Sequence, residues 1–152
     1  PYGIEQLEAL YNQYLVTGCK IEIWPLWTDY NVARTFTVVI WPSADATSPA
    51  VAATPIDSLM AYGEIPGAQI IKFAFNQPSQ KLTMYRKVRT VLGHNLTESN
   101  KATVGSSPSE MAYYHVAVIQ DTQTGGVTAT EAYAAMRVTM YTQWTEKKRL
   151  SG

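Results

Sequence analysis

Two hydrophobic periods meet within the first 24 residues of the chain. Apolar side chains first recur at helical spacing, at Ile4, Leu7, Leu10, Tyr11 and Tyr14. From Leu15 the pattern changes to alternation, which places Cys19, Ile21 and Ile23 on one face and Lys20, Glu22 and Trp24 on the other. These spacings predict a short helix over residues 3–14 and a half-buried strand directly after it. Because almost no loop separates the two, the helix fixes where the strand begins, and the rest of the chain must pack on this unit.

Most of the remaining chain has the pattern of β-strands. β-rich runs lie at residues 35–41, 69–75, 81–92, 111–120 and 130–144, separated by polar or turn-rich stretches. In the last run Met136, Val138 and Met140 share one face, and Arg137, Thr139 and Tyr141 share the other. Pro25 has no N–H and is expected to end the first strand, and Thr54 is a candidate cap for a helical turn in the long 42–67 connection. About six strands with long uneven loops predict an all-β protein, and they suit a double-sheet jelly roll better than an up-and-down barrel.

The composition fits one globular domain over residues 1–152. Hydrophobic residues make up 46% of the chain and charged residues 16%, against a usual charged fraction of about 25%. A surface that is poor in charge and rich in aromatic side chains is either a contact surface or the outside of an aromatic-rich β core. The 12 basic and 12 acidic residues balance, so nothing suggests that this chain alone condenses on nucleic acid. No apolar run approaches the ~20 residues of a membrane helix and no signal peptide is visible. The start at Pro1 predicts a fragment of a longer protein.

Residues able to carry catalysis or hold a metal are few and scattered. His94 and His115 are far apart, and no carboxylate lies at a chelating offset from either. We expect His115, inside an apolar strand, to be a satisfied sheet histidine, and His94 to be solvated. Cys19 is the only cysteine, which excludes an internal disulfide and a cysteine-based metal site. Loop aspartates could collect calcium at a subunit boundary but are more often turn residues: Asp29, Asp45, Asp57 and Asp121. With no nucleophile–base pair to assemble, we expect neither an enzyme nor a cofactor.

One basic run is a candidate nucleic-acid-binding site. It contains Lys81, Arg86, Lys87 and Arg89, with Tyr85 among them. The cations could touch a phosphate backbone while the tyrosine stacks on a base. The same run is also typical of the solvated face of an edge strand, where charge prevents edge-to-edge aggregation.

The opening stretch also resembles part of a viral protein family. It carries Tyr2-Gly3, Gln6, Leu10-Tyr11-Asn12-Gln13-Tyr14, Val16-Thr17-Gly18 and Lys20-Ile21. This series resembles the segment before the third strand, strand C, of the capsid proteins of circovirus-like, replication-initiator-encoding circular single-stranded DNA viruses. Glu64-x-Pro66-Gly67 and the closing Val138-Thr139-Met140-Tyr141 are compatible with it. The resemblance spans most of the chain, but only residues 2–23 are specific.

The resemblance implies an antiparallel eight-stranded jelly roll of two packed four-stranded sheets, with a short helix before strand C. It implies a protein of the virion that self-assembles into an icosahedral shell around a single-stranded DNA genome, with assembly in the host nucleus or cytoplasm. Two features depart from the family. Its arginine-rich arm and earlier strand are not present here, and Cys19 stands where serine or another small residue is common. The genome is therefore expected to be held mainly by an arm outside this chain. No membrane insertion is expected, since no apolar run is long enough.

Two other functions stay open from the sequence. The first is the jelly-roll coat protein of a small RNA virus, with the same fold and a different genome. The second is a non-viral jelly-roll module that binds a carbohydrate or another ligand. Its sugar platform would be built from aromatic side chains, namely Trp24, Trp27, Tyr30 and Trp41.

Overall fold

The computed structural model describes residues 4–26, 35–47, 61–74, 80–120 and 133–148. Two helices, a 3-10 turn and seven strands have defined bounds within these ranges. In chain order they are α1 (Ile4–Leu10), β1 (Tyr11–Leu26), β2 (Thr35–Ser43), β3 (Gln69–Ala74), β4 (Leu82–Lys87), α2 (Val88–Leu92), the 3-10 turn (Glu98–Asn100), β5 (Lys101–Thr103), β6 (Tyr113–Gln120) and β7 (Tyr133–Lys147). Residues 61–63 are helical as well. The candidate helical turn at Thr54 lies outside the described residues.

The strands form two antiparallel sheets. In the first sheet β1 is central, with β7 along one side and with β4 and β5 sharing the other. In the second sheet β2 lies between β3 and β6. The all-β, two-sheet jelly-roll architecture expected from the sequence is therefore confirmed. The described ranges contain sheets of four and three strands, however, rather than two sheets of four.

The helix at the start is shorter than its period predicts. It ends at Leu10, and β1 begins at Tyr11 rather than at Leu15. Tyr11 and Tyr14 have side chains that suit a strand, and the ladder with β7 pairs Tyr11 with Lys147 and Tyr14 with Trp144. The hydrogen bonds that residues 11–14 form with β7 favour the strand over the helix that the spacing of Tyr11 and Tyr14 predicts. Leu10, an apolar member of the predicted helical period, is an exposed side chain.

Two further boundaries differ from the prediction. Pro25 does not end β1, because the ladder with β7 continues to the pair Leu26 and Tyr133. The ladder with β4 stops at Ile23, and a proline is tolerated where its missing N–H faces no neighbouring strand. The 81–92 run is not one strand, since α2 follows β4 directly. Gly93 ends α2 with a φ of 78° and donates its N–H to the Arg89 carbonyl at 3.0 Å, a conformation that glycine adopts without strain.

The core lies between the two sheets. Its buried members come from the inner faces of both: Ile21, Ile23, Phe36, Val38, Ile40, Phe73, Leu82 and Met84. The alternation predicted for β1 is confirmed by Ile21 and Ile23, and β2 shows the same period at Phe36, Val38 and Ile40. The second sheet is also covered on its outer face, where Val39 and Trp41 pack with Tyr62 and Ile119. Trp41 and Tyr62 stack with ring centroids 4.7 Å apart, so part of the long 42–67 connection closes this side of the sheet.

Candidate nucleic-acid interface

The four basic residues of the 81–89 segment do not all share one face of the protein. Side chains of β4 alternate, so Leu82 and Met84 are buried while Thr83, Tyr85 and Lys87 are exposed. Lys87 therefore lies on the outer face of the first sheet, turned away from the second sheet. Arg86 points to the inner side, and the exposed Arg89 belongs to α2.

Lys81 and Arg86 are engaged within the protein. The Lys81 ammonium donates to Glu22 Oε1 at 2.7 Å on the outer face of the first sheet. The Arg86 guanidinium donates from Nη1 to the Tyr85 carbonyl at 3.0 Å and from Nη2 to the Gly67 carbonyl at 3.2 Å. Arg86 thereby ties β4 to the turn before β3. Within the predicted set, Lys87 and Arg89 are the members most accessible to a phosphate.

Two tyrosines stand together on the outer face of the first sheet. The rings of Tyr85 on β4 and Tyr141 on β7 meet edge to face, with centroids 5.5 Å apart and an interplanar angle of 88°. They reach across β1 at Gly18, which pairs with Lys87 on one side and with Tyr141 on the other. A Cβ at Gly18 would lie 2.8 Å from Tyr85 Oη, so the absence of a side chain there makes room for the pair. Both tyrosines are exposed and present ring surface to solvent.

Cations surround this pair, and we call the whole surface the Tyr85–Tyr141 face. It comprises Tyr85, Tyr141, Lys20, Lys81, Lys87 and Arg137. Among the residues paired with positions 18–23 of β1, and those positions themselves, Glu22 is the one acid. Four cations against one carboxylate make the face positive although the whole chain is neutral. A positive surface with exposed aromatic rings can hold a phosphate backbone and stack a base.

Glu22 organises the cations of this face. Its side chain is 7% exposed, and its Oε1 lies 2.7 Å from Lys81 Nζ and 3.2 Å from Lys20 Nζ. The hydrogen bond from Lys81, followed by that from Lys20, holds the pKa of this carboxyl below its usual value. A buried carboxylate with two cationic partners is thus fully compensated, and Lys87 and Arg137 remain outside this ion-pair network.

Sequence reasoning placed Tyr85 and Lys87 at this site but missed Lys20, Arg137 and Tyr141. The alternation of residues 130–144 does put Arg137 and Tyr141 on one face, as predicted. No local pattern indicates that β7 lies next to β1, with β4 on the other side of β1. The ladder that joins β7 to β1 pairs residues more than 100 positions apart. The site is therefore a product of strand pairing and not of one basic segment.

A cleft opens between the two sheets on the side of β6 and β7. Its volume is about 570 Å³, and its lining includes Cys19, Ile21, Tyr114, Val116, Val138 and Met140. Tyr114 donates its hydroxyl to the Cys19 carbonyl at 2.8 Å and so links the sheets at the floor of the cleft. Burial raises the pKa of Tyr114 to about 12, and burial also raises the pKa of the Cys19 thiol. Both groups are therefore neutral near pH 7, and they give the cleft no charge.

The two histidines make structural contacts. His94 Nε2 lies 2.8 Å from Glu110 Oε1, and the other oxygen of this carboxylate accepts from the buried Asn100 amide at 3.0 Å. His94 is exposed as expected, but it is paired rather than solvated alone. His115 stacks on Trp41 with centroids 5.3 Å apart and bonds to the Asp45 carbonyl at 2.9 Å.

Among the described residues no group of three or more potential ligands could hold a metal ion. No helix in those same ranges is long and apolar enough to cross a membrane.

Comparison with known proteins finds similarity in structure. No protein-family model matches the chain, and no curated protein matches it. Among solved structures, the subunit of a semi-empty virus-like particle of the nodavirus of the giant freshwater prawn Macrobrachium rosenbergii matches 99% of this chain and 67% of its own, at a TM-score of 0.58 and 11% identity. A T=1 subviral particle of a Penaeus vannamei nodavirus capsid protein deletion mutant matches 95% of this chain and 75% of its own, at a TM-score of 0.56 and 12% identity. Desmodium yellow mottle tymovirus matches 99% of this chain and 70% of its own, at a TM-score of 0.52 and 10% identity.

These similarities concern the fold. At 10–12% identity, side chains are too different to carry a shared site from one protein to another. Each alignment covers 95% or more of this chain. The chain accordingly has the jelly-roll fold found in virus particles.

Proposed function

We propose that this chain is the shell domain of a viral capsid protein, a component of the virion that self-assembles into a closed icosahedral particle around a genome. The observation that carries the proposal is the two-sheet fold, shared over 99% and 95% of the chain with subunits of two nodavirus particles. A charged fraction of 16% and the exposed aromatic rings agree with a surface made mostly for contact with other subunits. Repeated closed symmetry allows modest interfaces to build a stable shell.

For the genome, we propose RNA ahead of DNA. The matched particles belong to RNA viruses, which favours the coat-protein alternative that the sequence left open. The circular single-stranded DNA assignment depends on the motif resemblance of residues 2–23, and no structural neighbour supports it. A jelly-roll carbohydrate module is less well supported. Trp41, one member of its aromatic platform, is only 2% exposed beneath Tyr62 and His115, while Trp27 and Tyr30 lie outside the described residues.

We further propose that the Tyr85–Tyr141 face contacts the packaged nucleic acid. Lys87 and Arg137 flank the two rings and are exposed, so a single strand can lay its phosphates along the cations and its bases on the tyrosines. Arg89 on α2 is the other exposed cation of the predicted set. Lys81 and Lys20 share the single carboxylate of Glu22 and together keep one net positive charge, whereas Arg86 acts inside the fold. A basic arm outside residues 1–152 remains our proposal for the main genome contact.

Assembly is tested on the protein expressed from its full reading frame. Sedimentation through a sucrose gradient should give a discrete fast-moving particle, and nuclease treatment of that fraction should leave protected nucleic acid. Digestion of the extracted material with RNase or DNase then identifies the genome type. Protein that stays at the top of the gradient at every salt concentration would refute the shell proposal. Protected DNA would restore the circular single-stranded DNA alternative.

The nucleic-acid face is tested with matched charge variants. Lys87→Gln should weaken binding of a single-stranded oligonucleotide and lower the salt slope by roughly 0.7, the value for one phosphate contact on a single strand. Lys147→Gln removes one exposed charge from the far end of β7, six positions beyond Tyr141, and serves as the control. Equal effects of the two substitutions would show that only net charge matters and that the Tyr85–Tyr141 face is not the site.

A further inference from the structure

The outer-face residues of β4, β1 and β7 form three rows across the first sheet. Each row places one residue from each of these strands side by side. In chain-pairing order the rows are Lys87, Gly18 and Tyr141; Tyr85, Lys20 and Thr139; and Thr83, Glu22 and Arg137. Successive rows are about 6.7 Å apart along a strand, and neighbouring strands are about 4.8 Å apart. The register therefore fixes where each charge and each ring stands on this face.

Three cations occupy one diagonal of these rows, with one cation on each strand. Lys87 stands in the first row on β4, Lys20 in the second row on β1, and Arg137 in the third row on β7. The row and strand spacings put each backbone position about 8 Å from the next along the diagonal. Lys87 and Arg137 are exposed, and Lys20 is half-buried. A nucleic-acid backbone laid along this diagonal meets a positive charge on every strand that it crosses.

The ring of Tyr85 lies across this diagonal. Its hydroxyl oxygen is 2.8 Å from the position that a Cβ of Gly18 would take, so the side chain extends from the second row of β4 towards the first row of β1. It therefore passes between Lys87 and Lys20, and Tyr141 meets it edge to face from β7. A cation, a ring and a further cation follow one another along the diagonal, which is the order needed for a phosphate, a base and the next phosphate.

Glu22 determines on which side the diagonal leaves β1. It follows Lys20 on the outer face of this strand, and its Oε1 lies 3.2 Å from the Lys20 ammonium. A phosphate placed above Glu22 would have to compete with this carboxylate for the same cation. Of the two residues paired with Glu22, Thr83 on β4 is neutral and Arg137 on β7 is cationic. A strand that passes Lys20 is therefore directed towards β7.

We infer that the Tyr85–Tyr141 face binds one unpaired nucleic-acid strand along the diagonal from Lys87 through Lys20 to Arg137, with a base stacked on the ring of Tyr85. The inference rests on the proposed nucleic-acid contact of this face and adds the class of ligand, since the ring binds single strands and not duplexes. A duplex presents phosphates to the same cations, but its bases are stacked inside the helix and cannot meet the ring. Stacking accepts every base, so the preference concerns strandedness and not sequence.

Three probes test the role of the ring by fluorescence anisotropy: oligothymidylate, an abasic strand of the same length, and the duplex of oligothymidylate with oligodeoxyadenylate. Tyr85→Leu should weaken binding of oligothymidylate about fivefold or more, the effect of one lost base stack. The same variant should bind the abasic strand and the duplex as the wild-type protein does, which also shows that it is folded. Tyr85→Phe keeps the ring and should keep the affinity for oligothymidylate. Equal effects of Tyr85→Leu on all three probes, or no effect on any, would overturn the inference.

Lys20→Gln and Lys81→Gln are the matched test of the path. Both lysines pair with the same oxygen of Glu22, but Lys81 precedes β4 and lies off the diagonal. Lys20→Gln and Arg137→Gln should each lower the salt slope for oligothymidylate by roughly 0.7, whereas Lys81→Gln should leave it unchanged. Equal slopes for Lys20→Gln and Lys81→Gln would overturn the diagonal path and leave the nucleic-acid face in place. If Lys87→Gln changes the binding of no probe, the face itself is not the site and both proposals fail.

Discussion

Tyr85 and Tyr141, 56 positions apart in the sequence, meet edge to face at 5.5 Å because Gly18 lies between their strands and has no side chain. The contact joins β4 to β7 across β1 and forms the centre of the face proposed to bind nucleic acid. Even alanine at position 18 would therefore place its Cβ against the Tyr85 ring.

Gly18→Ala should displace Tyr85, since the new Cβ would lie 2.8 Å from the Tyr85 hydroxyl oxygen. Overpacking of this kind costs about 1–3 kcal/mol, and the movable end of the ring favours the lower part of that range. Urea unfolding and oligonucleotide binding should both show the loss. The cost should shrink in the double variant with Tyr85→Ala, because the clash is then gone.

Gly63→Ala is the control for this substitution. Gly63 lies in the helical stretch 61–63, and its nearest neighbour would be Ile70 Cδ1 at 3.4 Å. Alanine there should be neutral or stabilising by up to about 1 kcal/mol. If Gly18→Ala is as harmless as this control, the close approach of Tyr85 is not a constraint.

Glu22→Gln should alter the acid stability of the protein. The ammonium groups of Lys81 and Lys20 lower the pKa of Glu22 below its usual 4.5. Its stabilising effect is therefore present above pH 4.5 and is lost as the pH falls through the lowered folded-state pKa. The variant should be less stable near pH 7 and should lose less stability on acidification. Urea midpoints over this pH range measure the difference, and identical profiles for the variant and the wild-type protein would contradict the stabilising role of Glu22.

His94→Gln should remove a pH dependence of the opposite sign. The Asn95 carbonyl, and then the Glu110 carboxylate, raise the pKa of His94 above its usual 6.5. The stabilisation is complete below pH 6.5 and is lost as the pH rises through the raised pKa. Thermal midpoints of the wild-type protein should fall across this window, and those of His94→Gln and Glu110→Gln should fall less. Parallel curves for all three proteins would mean that the His94–Glu110 pair adds no stability.

Met84→Ala and Met136→Ala compare the closed and open parts of the core. Met84 is buried in the main cluster, and its truncation should cost about 2–5 kcal/mol. Met136 is mostly exposed in the 152-residue chain, where the same truncation should cost no more than about 0.5 kcal/mol. Urea unfolding of the two variants measures the difference, and equal costs would mean that Met84 is not part of a closed core.

The sequence predicted features that depend on local patterns. The alternation of Ile21 and Ile23, of Phe36, Val38 and Ile40, and of residues 136–144 all describe faces that exist in the structure. The all-β, double-sheet fold class was predicted from about six β-rich runs separated by long uneven loops. The end of α1 could not be predicted, because Tyr11 and Tyr14 satisfy both a helical period and a strand, and only the ladder with β7 decides between them.

The candidate site was less accessible to sequence reasoning. The predicted set is close together in sequence, but strand alternation separates Arg86 from Lys81 and Lys87, and Arg89 belongs to α2. Tyr141 and Arg137 joined Tyr85 only through the register of β7 on β1 and of β1 on β4. Such pairings are set by the packing of the whole domain, and no spacing within one segment encodes them.

The central claim is that this fold is the repeating unit of a viral shell, and electron cryo-microscopy of the purified full-length protein tests it most directly. We expect closed particles with icosahedral symmetry, in which each subunit shows the first sheet, with β1 between β4 and β7, packed on the second sheet, with β2 between β3 and β6. Images that contain only separate monomers at all salt and protein concentrations would contradict the account.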